Sequence, residues 1–369
     1  MGFFVEKRNN LFLRFFPFPE YLRMSAVGID ISDRSIKYTA IKNMGGDLRL
    51  KNYGYKSVEP GVVEKGEIKN KVRLAEILKT VKQSLDDFFI TVSLPEEKAF
   101  LKVIDLPPVK KEKIRESLRL QLEETVPFSP ENIIFDFDVL EESSDGWKVV
   151  FSAFPKKIAE DYAKVFEHVG FFPVSFEVES QSLFRSLVDV EEKGGVMIID
   201  FGKTRTSFVI GEDGFVKFSS TINVAGEHLD KILSKGLNID VFEAEEMKRK
   251  NVSFESGKDK LLTNILPVIS VIKDESVRIL DYWQTHGEEQ SSKNKKIEKI
   301  ILCGGDSSIP GLTEYFSYYL KTSVELGNPW VNINSFENYA PEMERAASLR
   351  YATALGLAIR SFDRDSFYD

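Results

Sequence analysis

"GVMIIDFGKTRTSFVI", residues 195–210, is strongly apolar for its first five residues, breaks at Asp200 and Gly202 into hydroxyls and bases, then turns apolar again. That pattern predicts a tight hairpin with an acid at the end of its first strand. A second stretch, "AVGIDISDRSIKYTAI" at 26–41, lies over it without gaps, so that Asp30 falls on Asp200, 170 positions on, and the apolar flanks match. A single acid-tipped hairpin is ordinary turn chemistry. Two in gapless correspondence point to a shared task, with the two turns expected to face one another across a cleft.

That task is phosphate binding through a metal. A carboxylate repels phosphate, but it can hold hydrated Mg²⁺, which keeps most of its waters and binds through one or two carboxylates plus phosphate oxygens. Asp30 and Asp200 are the candidate magnesium residues, directly or through water, and Asp200 is also the candidate for orienting an attacking water. Loop amides and hydroxyls then reach the phosphates. Ser32 and Ser35 in the first turn, and Thr204 and Thr206 in the second, supply hydroxyls. Gly202 allows close backbone approach, and Lys37 and Lys203 offer positive charge. "IILCGGDSSIPGL", residues 300–312, is a buried strand running into Gly304-Gly305 and a helix start, where a planar group can lie on bare backbone. Glu245 and Lys248 are three apart on one helix face. They are candidates for a ribose and a purine edge, with an exposed ion pair as the plainer alternative. Gly226, opening the helix after the second hairpin, completes the nucleotide set.

The whole chain constrains the classes available. Its 369 residues exceed one ordinary core, so at least two domains are expected. A net charge of −8 argues against broad nucleic-acid binding. One cysteine, Cys303, rules out an intrachain disulfide, and the three histidines show no metal-ligand spacing. No apolar run approaches the ~18 residues that span a bilayer. "MGFFVEKRNNLFLRFFPFPEYLRM", residues 1–24, is aromatic and basic. Phe12, Phe15, Phe16 and Phe18 with Arg14 and Arg23 suit a membrane interface, whereas Pro17 and Pro19 oppose a long amphipathic helix and favour a loose extension. Competing motifs fail: Met197 stands where a Walker A loop needs its first glycine, "DFG" at 200–202 lacks a kinase catalytic loop, and GxSxG and HExxH are absent.

The coarse pattern sets the organisation. Residues 25–95 and 179–191, with 341–362 returning, form a first lobe after the extension 1–24. Residues 96–178 read β-α-β-β-α-β, a split βαβ module inserted in that lobe. Residues 192–225 and 299–340 form a second lobe, with a helical subdomain at 226–298. Ala346, Ala347, Ala352, Gly356 and Ala358 permit close packing of the last helix.

In this order — phosphate hairpin, inserted module, second hairpin, helices, GG loop, closing helix — the chain resembles the actin, Hsp70 and sugar kinase superfamily. "GIDISDRSIK", "VIDLPPVKKEKIRESLRLQLEETVPFSPENIIFDFDVL", "FSAFPKKIAEDYAKVFEHVGFFPVSFEVESQSL", "ILCGGDSSIPGL" and "LGNPW" are similar to the branch that holds the cell-division protein FtsA and the PilM family of type IV pilus assembly proteins, over about residues 25–362. The resemblance implies an α/β, actin/Hsp70-like two-lobed nucleotide-binding fold, with ATP and Mg²⁺ as cofactors. It implies a cytoplasmic adaptor at the inner face of the membrane, in the pilus or a related type II secretion platform. Its partner would be the N-terminal cytoplasmic peptide of a PilN-like membrane protein, held between the inserted module and the first lobe. Pilus motor ATPases and platform proteins are further implied contacts, and self-association is open. The chain departs from the pattern with Ser32 where glycine is usual and with Asp33-Arg34 where small hydroxyl residues are usual. An acid facing the γ-phosphate predicts slow or absent ATP hydrolysis. An FtsA-like polymerising protein and a small-molecule kinase of the same superfamily are the alternatives.

Overall fold

The computed structural model describes residues 25–45, 47–126, 129–254, 260–286, 296–333 and 339–362. The extension 1–24 lies outside the described residues. The chain divides into two compact units. The first takes residues up to Leu183 with Ile333–Pro341 and the chain from Thr353, and the second takes Phe184–Asn332 and Glu342–Ala352. Residues 184–191 and 342–352 therefore group with the second unit, where the sequence reading put them in the first lobe.

In the first unit, β1 (Val27–Ser32), β2 (Ser35–Met44) and β3 (Asp47–Ser57) form an antiparallel meander, and β4 (Val63–Glu64) and β5 (Glu67–Ile68) a short hairpin. Helix α1 (Lys71–Lys82) and strand β6 (Phe89–Leu94) follow. The Asn70 side chain caps α1 by accepting from Arg73 N, and the helix buries Leu74, Ala75, Ile77, Leu78 and Val81 as one face. Next come β7 (Phe100–Leu106), α2 (Ile114–Thr125), β8 (Ile133–Ser143), β9 (Gly146–Pro155), α3 (Lys156–Val169) and β10 (Phe172–Val178).

An inserted module is present, but it is smaller than the sequence pattern implies. β7, β9 and β8 make a three-stranded antiparallel sheet, whereas β10 pairs in parallel with β6 in a five-stranded sheet of order β10-β6-β1-β2-β3. Burial explains the division. Tyr162, Val165, Phe166, Val169 and Phe171 all join the core beneath β1, β2 and β6. At about 1.5–3 kcal/mol per buried large apolar side chain, these outweigh the Phe154 and Ala159 contacts on the module side. The module keeps its own core of α2 residues Ile114, Leu118 and Leu122 against Phe137, Trp147, Val149 and Phe151. Trp147 Nε1 donates to Val109 O at 2.8 Å.

Helix α4 (Glu179–Leu187) leads to β11 (Gly195–Phe201), β12 (Thr206–Glu212) and β13 (Phe215–Ile222), then α5 (Gly226–Leu237), α6 (Val241–Asn251) and α7 (Lys260–His286). β14 (Ile297–Cys303), α8 (Leu312–Leu320), β15 (Ser323–Leu326), α9 (Arg345–Ser348) and α10 (Ala352–Arg360) complete the described chain. The second sheet runs β13-β12-β11-β14-β15, with the first three antiparallel and the last two added in parallel. This is the topology of the first sheet again. The registers coincide as well: Ile31 pairs with Ile36, and Phe201 with Thr206. β1 and β11 are buried on both faces, which is why each reads as a continuous apolar run rather than an alternation.

Candidate functional site

In the first unit, strand pairing places Lys37 directly across from Asp30. Lys37 Nζ lies 2.9 Å from Asp30 Oδ2, and the hydroxyl of Ser93, from the neighbouring β6, donates to Asp30 Oδ1 at 3.0 Å. Asp30 is buried, yet its charge is matched and both oxygens are engaged, which is what allows a carboxylate to sit there. The hydroxyls of Ser32 and Ser35 meet at 2.9 Å across the hairpin end. These four predicted residues are gathered in one turn.

Asp33 does something other than face a phosphate. Its two oxygens accept from Lys65 N at 2.9 Å and Gly66 N at 3.1 Å, the turn of the β4–β5 hairpin. Both turn residues have positive φ, 49° and 70°, so that hairpin presents two adjacent amides that need an acceptor. The expectation of an acid aimed at the γ-phosphate is corrected: Asp33 is a structural clasp between two hairpins.

In the second unit, Asp200 ends β11 beside Cys303 of β14. Burial pushes the Cys303 thiol pKa well up, and the charge and hydrogen bond of Asp200 add to it, so the cysteine is an inert neighbour rather than a nucleophile. Gly202 and Lys203 form the turn, and their carbonyls accept from Gly226 N at 3.1 Å and Glu227 N at 2.8 Å. The turn therefore caps the first amides of α5. Thr206 is buried and its hydroxyl donates to Val224 O at 2.6 Å, tying the hairpin to the link between β13 and α5. Thr204 is half-buried in the turn. Gly304 has φ +93°, and a Cβ there would fall 2.4 Å from Phe201 O and 2.5 Å from Asp200 Oδ1, so the β14 exit lies directly on the second turn. Gly305 beside it meets nothing within 4 Å.

Glu245 and Lys248 are not a solvated pair. Lys203 Nζ lies 2.7 Å from Asp230 Oδ2 and 2.5 Å from Glu245 Oε2. Lys248 Nζ lies 2.7 Å from Asp230 Oδ1 and 2.6 Å from Asp306 Oδ1. The result is a chain of alternating charge, Glu245–Lys203–Asp230–Lys248–Asp306, with Asp230 fully buried and the Lys248 side chain 1% exposed. Lys248 is held between the two acids, and its hydrogen bond to Asp306 favours the charged form of that carboxyl. For Lys203, burial pulls the pKa down, but the hydrogen bonds it donates to Asp230 and Glu245 outweigh it and the net shift is upward. Burial acts to raise Glu245, and Lys203 outweighs it and holds that carboxyl below its usual range. Asp306 is pushed up by burial, with Lys248 opposing.

Sequence reading missed Ser93, Asp230 and Asp306. Ser93 becomes visible only once β6 is known to flank β1. Asp230 had a signal in its spacing, four residues after Gly226 on the same helix. Asp306 directly follows the glycine pair.

Comparison with known proteins follows this geometry. Among curated proteins, cell division protein FtsA of Enterococcus hirae is 22% identical over 248 residues, 58% of this chain and 56% of that protein. FtsA of Buchnera aphidicola subsp. Acyrthosiphon pisum (strain APS) is 26% identical over 185 residues, 44% and 43% respectively. The chain thus spans about half the length of the curated relatives it matches. Among solved structures, the PilM-PilN type IV pilus biogenesis complex superposes with a TM-score of 0.77 at 22% identity, over 92% of this chain and 99% of that one. MreB5 of Spiroplasma citri bound to ADP gives 0.54 at 15% identity, over 91% and 96%. The fold is that of the actin-like ATPases. The model of the type IV pilus assembly protein PilM family matches residues 28–362. With that match running from the first acid-tipped hairpin to the closing helix, the chain belongs to the type IV pilus assembly protein PilM family.

Proposed function

We propose that this chain is a nucleotide-binding adaptor of type IV pilus assembly that takes the N-terminal cytoplasmic peptide of a PilN-like membrane protein, at the inner face of the membrane. The observation that carries the nucleotide part is the β14 exit. Gly304 packs on the second turn, Gly305 leaves open space, and Asp306, directly after them, holds the buried Lys248 ammonium. The nucleotide's base and sugar are proposed to lie on Gly304-Gly305 and the Glu245/Lys248 helix. The Asp200–Thr204 turn with Lys203, and the Asp30 turn with Ser32, Ser35 and Lys37, are the proposed phosphate elements. Magnesium, when bound, supplies charge neutralisation of the phosphates, with Asp30 and Asp200 holding it through its waters. Among the described residues no three acidic, His or Cys side chains gather as a metal-holding set, and Mg²⁺ needs only one or two carboxylates beside phosphate oxygens.

Support for the partner comes from the likeness to the PilM-PilN complex, and for the nucleotide from MreB5 structures bound to ADP and AMPPNP. In this reading nucleotide is a switch. A coupling of about 1–3 kcal/mol changes partner affinity about 5–150-fold without turnover. Asp200 is the residue placed to orient a water, and turnover is slow or absent because no clear general base accompanies it.

The test is Asp30→Asn with Asp200→Asn, which keep side-chain shape and remove both charges. Mg-ATP is expected to raise the melting temperature of the parent chain, and the variant is expected to lose that rise with its ligand-free melting temperature little changed. An undiminished rise places the phosphates elsewhere. For the partner, a synthetic peptide from the cytoplasmic end of a PilN-like protein is expected to be retained by the immobilised chain. The FtsA similarity favours one second reading, a polymerising protein, which sedimentation with and without ATP separates from the adaptor.

A further inference from the structure

The charge chain in the second unit runs Arg249–Glu245–Lys203–Asp230–Lys248–Asp306, three bases to three acids, with Asp306 at its buried end. We propose that Asp306 sets nucleotide affinity in this chain by acting as an internal anion that occupies Lys248, so that a nucleotide gains this lysine only by displacing it. The inference rests on the nucleotide-binding reading above and deepens it.

Three observations carry it. Asp306 Oδ1 sits 2.6 Å from Lys248 Nζ, nearer than the other acid on that lysine. Its second oxygen lies over the first residue of α5: a Cβ on Gly226 would fall 1.8 Å from Asp306 Oδ2. The carboxylate therefore fills the space against Gly226 that a side chain or a ligand atom would otherwise take. Lys248, finally, is held on two sides by acids at 2.6 and 2.7 Å, so a ligand that takes this lysine must part it from one of them.

The groups facing Asp306 are Lys248 from α6, Asp230 from α5 and Lys203 from the second turn. Two are cations already shared with other acids. An ionised Asp306 is thus a buried charge at the dry end of the cluster, where solvent and salt screen it weakly. It repels an arriving polyphosphate and holds the cation that the ligand needs. The Asp306→Asn variant removes that charge while the amide keeps the shape.

The experiment compares the full chain with Asp306→Asn, and with Asp306→Ser in case the amide packs poorly. Two readouts are taken: guanidinium unfolding of the ligand-free proteins at pH 4 and pH 8, and calorimetric titration with Mg-ADP. A carboxyl whose folded-state pKa is raised contributes stability that is full below its unfolded-state pKa and is lost as pH rises from there through the folded-state pKa. The variants lack this loss, so the stability difference from the parent is expected to shift in their favour from pH 4 to pH 8. ADP is expected to bind about tenfold or more tighter to the variants, a difference of about 1.4 kcal/mol or more. An advantage that does not grow with pH overturns the inference and leaves the nucleotide reading standing. ADP binding that is unchanged or weaker in both variants also overturns the inference alone, and makes Asp306 a ligand contact. Absence of ADP heat from the parent and both variants overturns the inference and the nucleotide reading together.

Discussion

Lys248→Met is expected to destabilise the second unit by about 3–5 kcal/mol, the cost of leaving buried charge without its partner. The methionine fills most of the volume, so the loss is electrostatic rather than a cavity. Asp230 keeps Lys203, but it is fully buried and loses one of the two lysines that contact it, and Asp306 loses the lysine that lies 2.6 Å from its carboxylate. Chemical denaturation checks this. Adding Asp306→Asn to Lys248→Met is expected to recover part of the loss, because one stranded charge is then gone. The double-mutant cycle should show coupling of about 0.5–3 kcal/mol. Simple additivity would mean that the two side chains do not act as a pair.

The second large effect is expected at Gly356, in α10. A Cβ there would fall 1.8 Å from Ser182 O and 2.6 Å from its carbonyl carbon, so helix and α4 backbone touch directly. On the same helix, Ala354 O and Ala358 N lie 2.1 and 2.6 Å from where a Gly28 Cβ would stand. Helix α10 is thus wedged between the α4 backbone and β1, and no flexible side chain is available to give way. Gly356→Val should cost about 3 kcal/mol and lower the melting temperature of the first unit by about 10 °C. Gly305→Ala is the control: its Cβ enters open space, and stability should hold to within about 0.5 kcal/mol. Calorimetry on both variants decides. Equal melting temperatures would show that α10 can shift away from Ser182.

The small-residue stripe of the last helix was legible because its cause is local: Gly356, Ala352 and Ala358 stand in one short segment. The two hairpins were legible for a related reason. Each strand is buried on both faces, and the turn falls where the apolar run breaks. The length of the inserted module was not. α3 and β10 continue its alternation in sequence, and only the pairing of β10 with β6 assigns them to the larger sheet. Such pairing is a non-local fact that periodicity does not carry. The same limit applied to the site. Asp30, Asp200, Gly304, Glu245 and Lys248 announce themselves by type and position. Asp230 and Asp306 matter because of lysines that lie 18 or more positions away in the chain, and the partners of an ion pair are not written beside it. Asp33 shows the reverse case: its type suggested electrostatic interference, and its partners 32 and 33 residues on make it a clasp.

The inserted module leaves the sheet after Leu94 and rejoins the chain leading to α3 at Phe154, and these two residues pack together with Ala159 in one small cluster. Its points of departure and return are therefore neighbours, although some sixty residues separate them. A segment attached in this way behaves as a cassette. It can be lengthened, trimmed or traded for another over evolutionary time while the strands on either side keep their register. A laboratory graft of a foreign module between Pro95 and Pro155 would exploit the same doorway, retuning recognition without rebuilding the body that carries it.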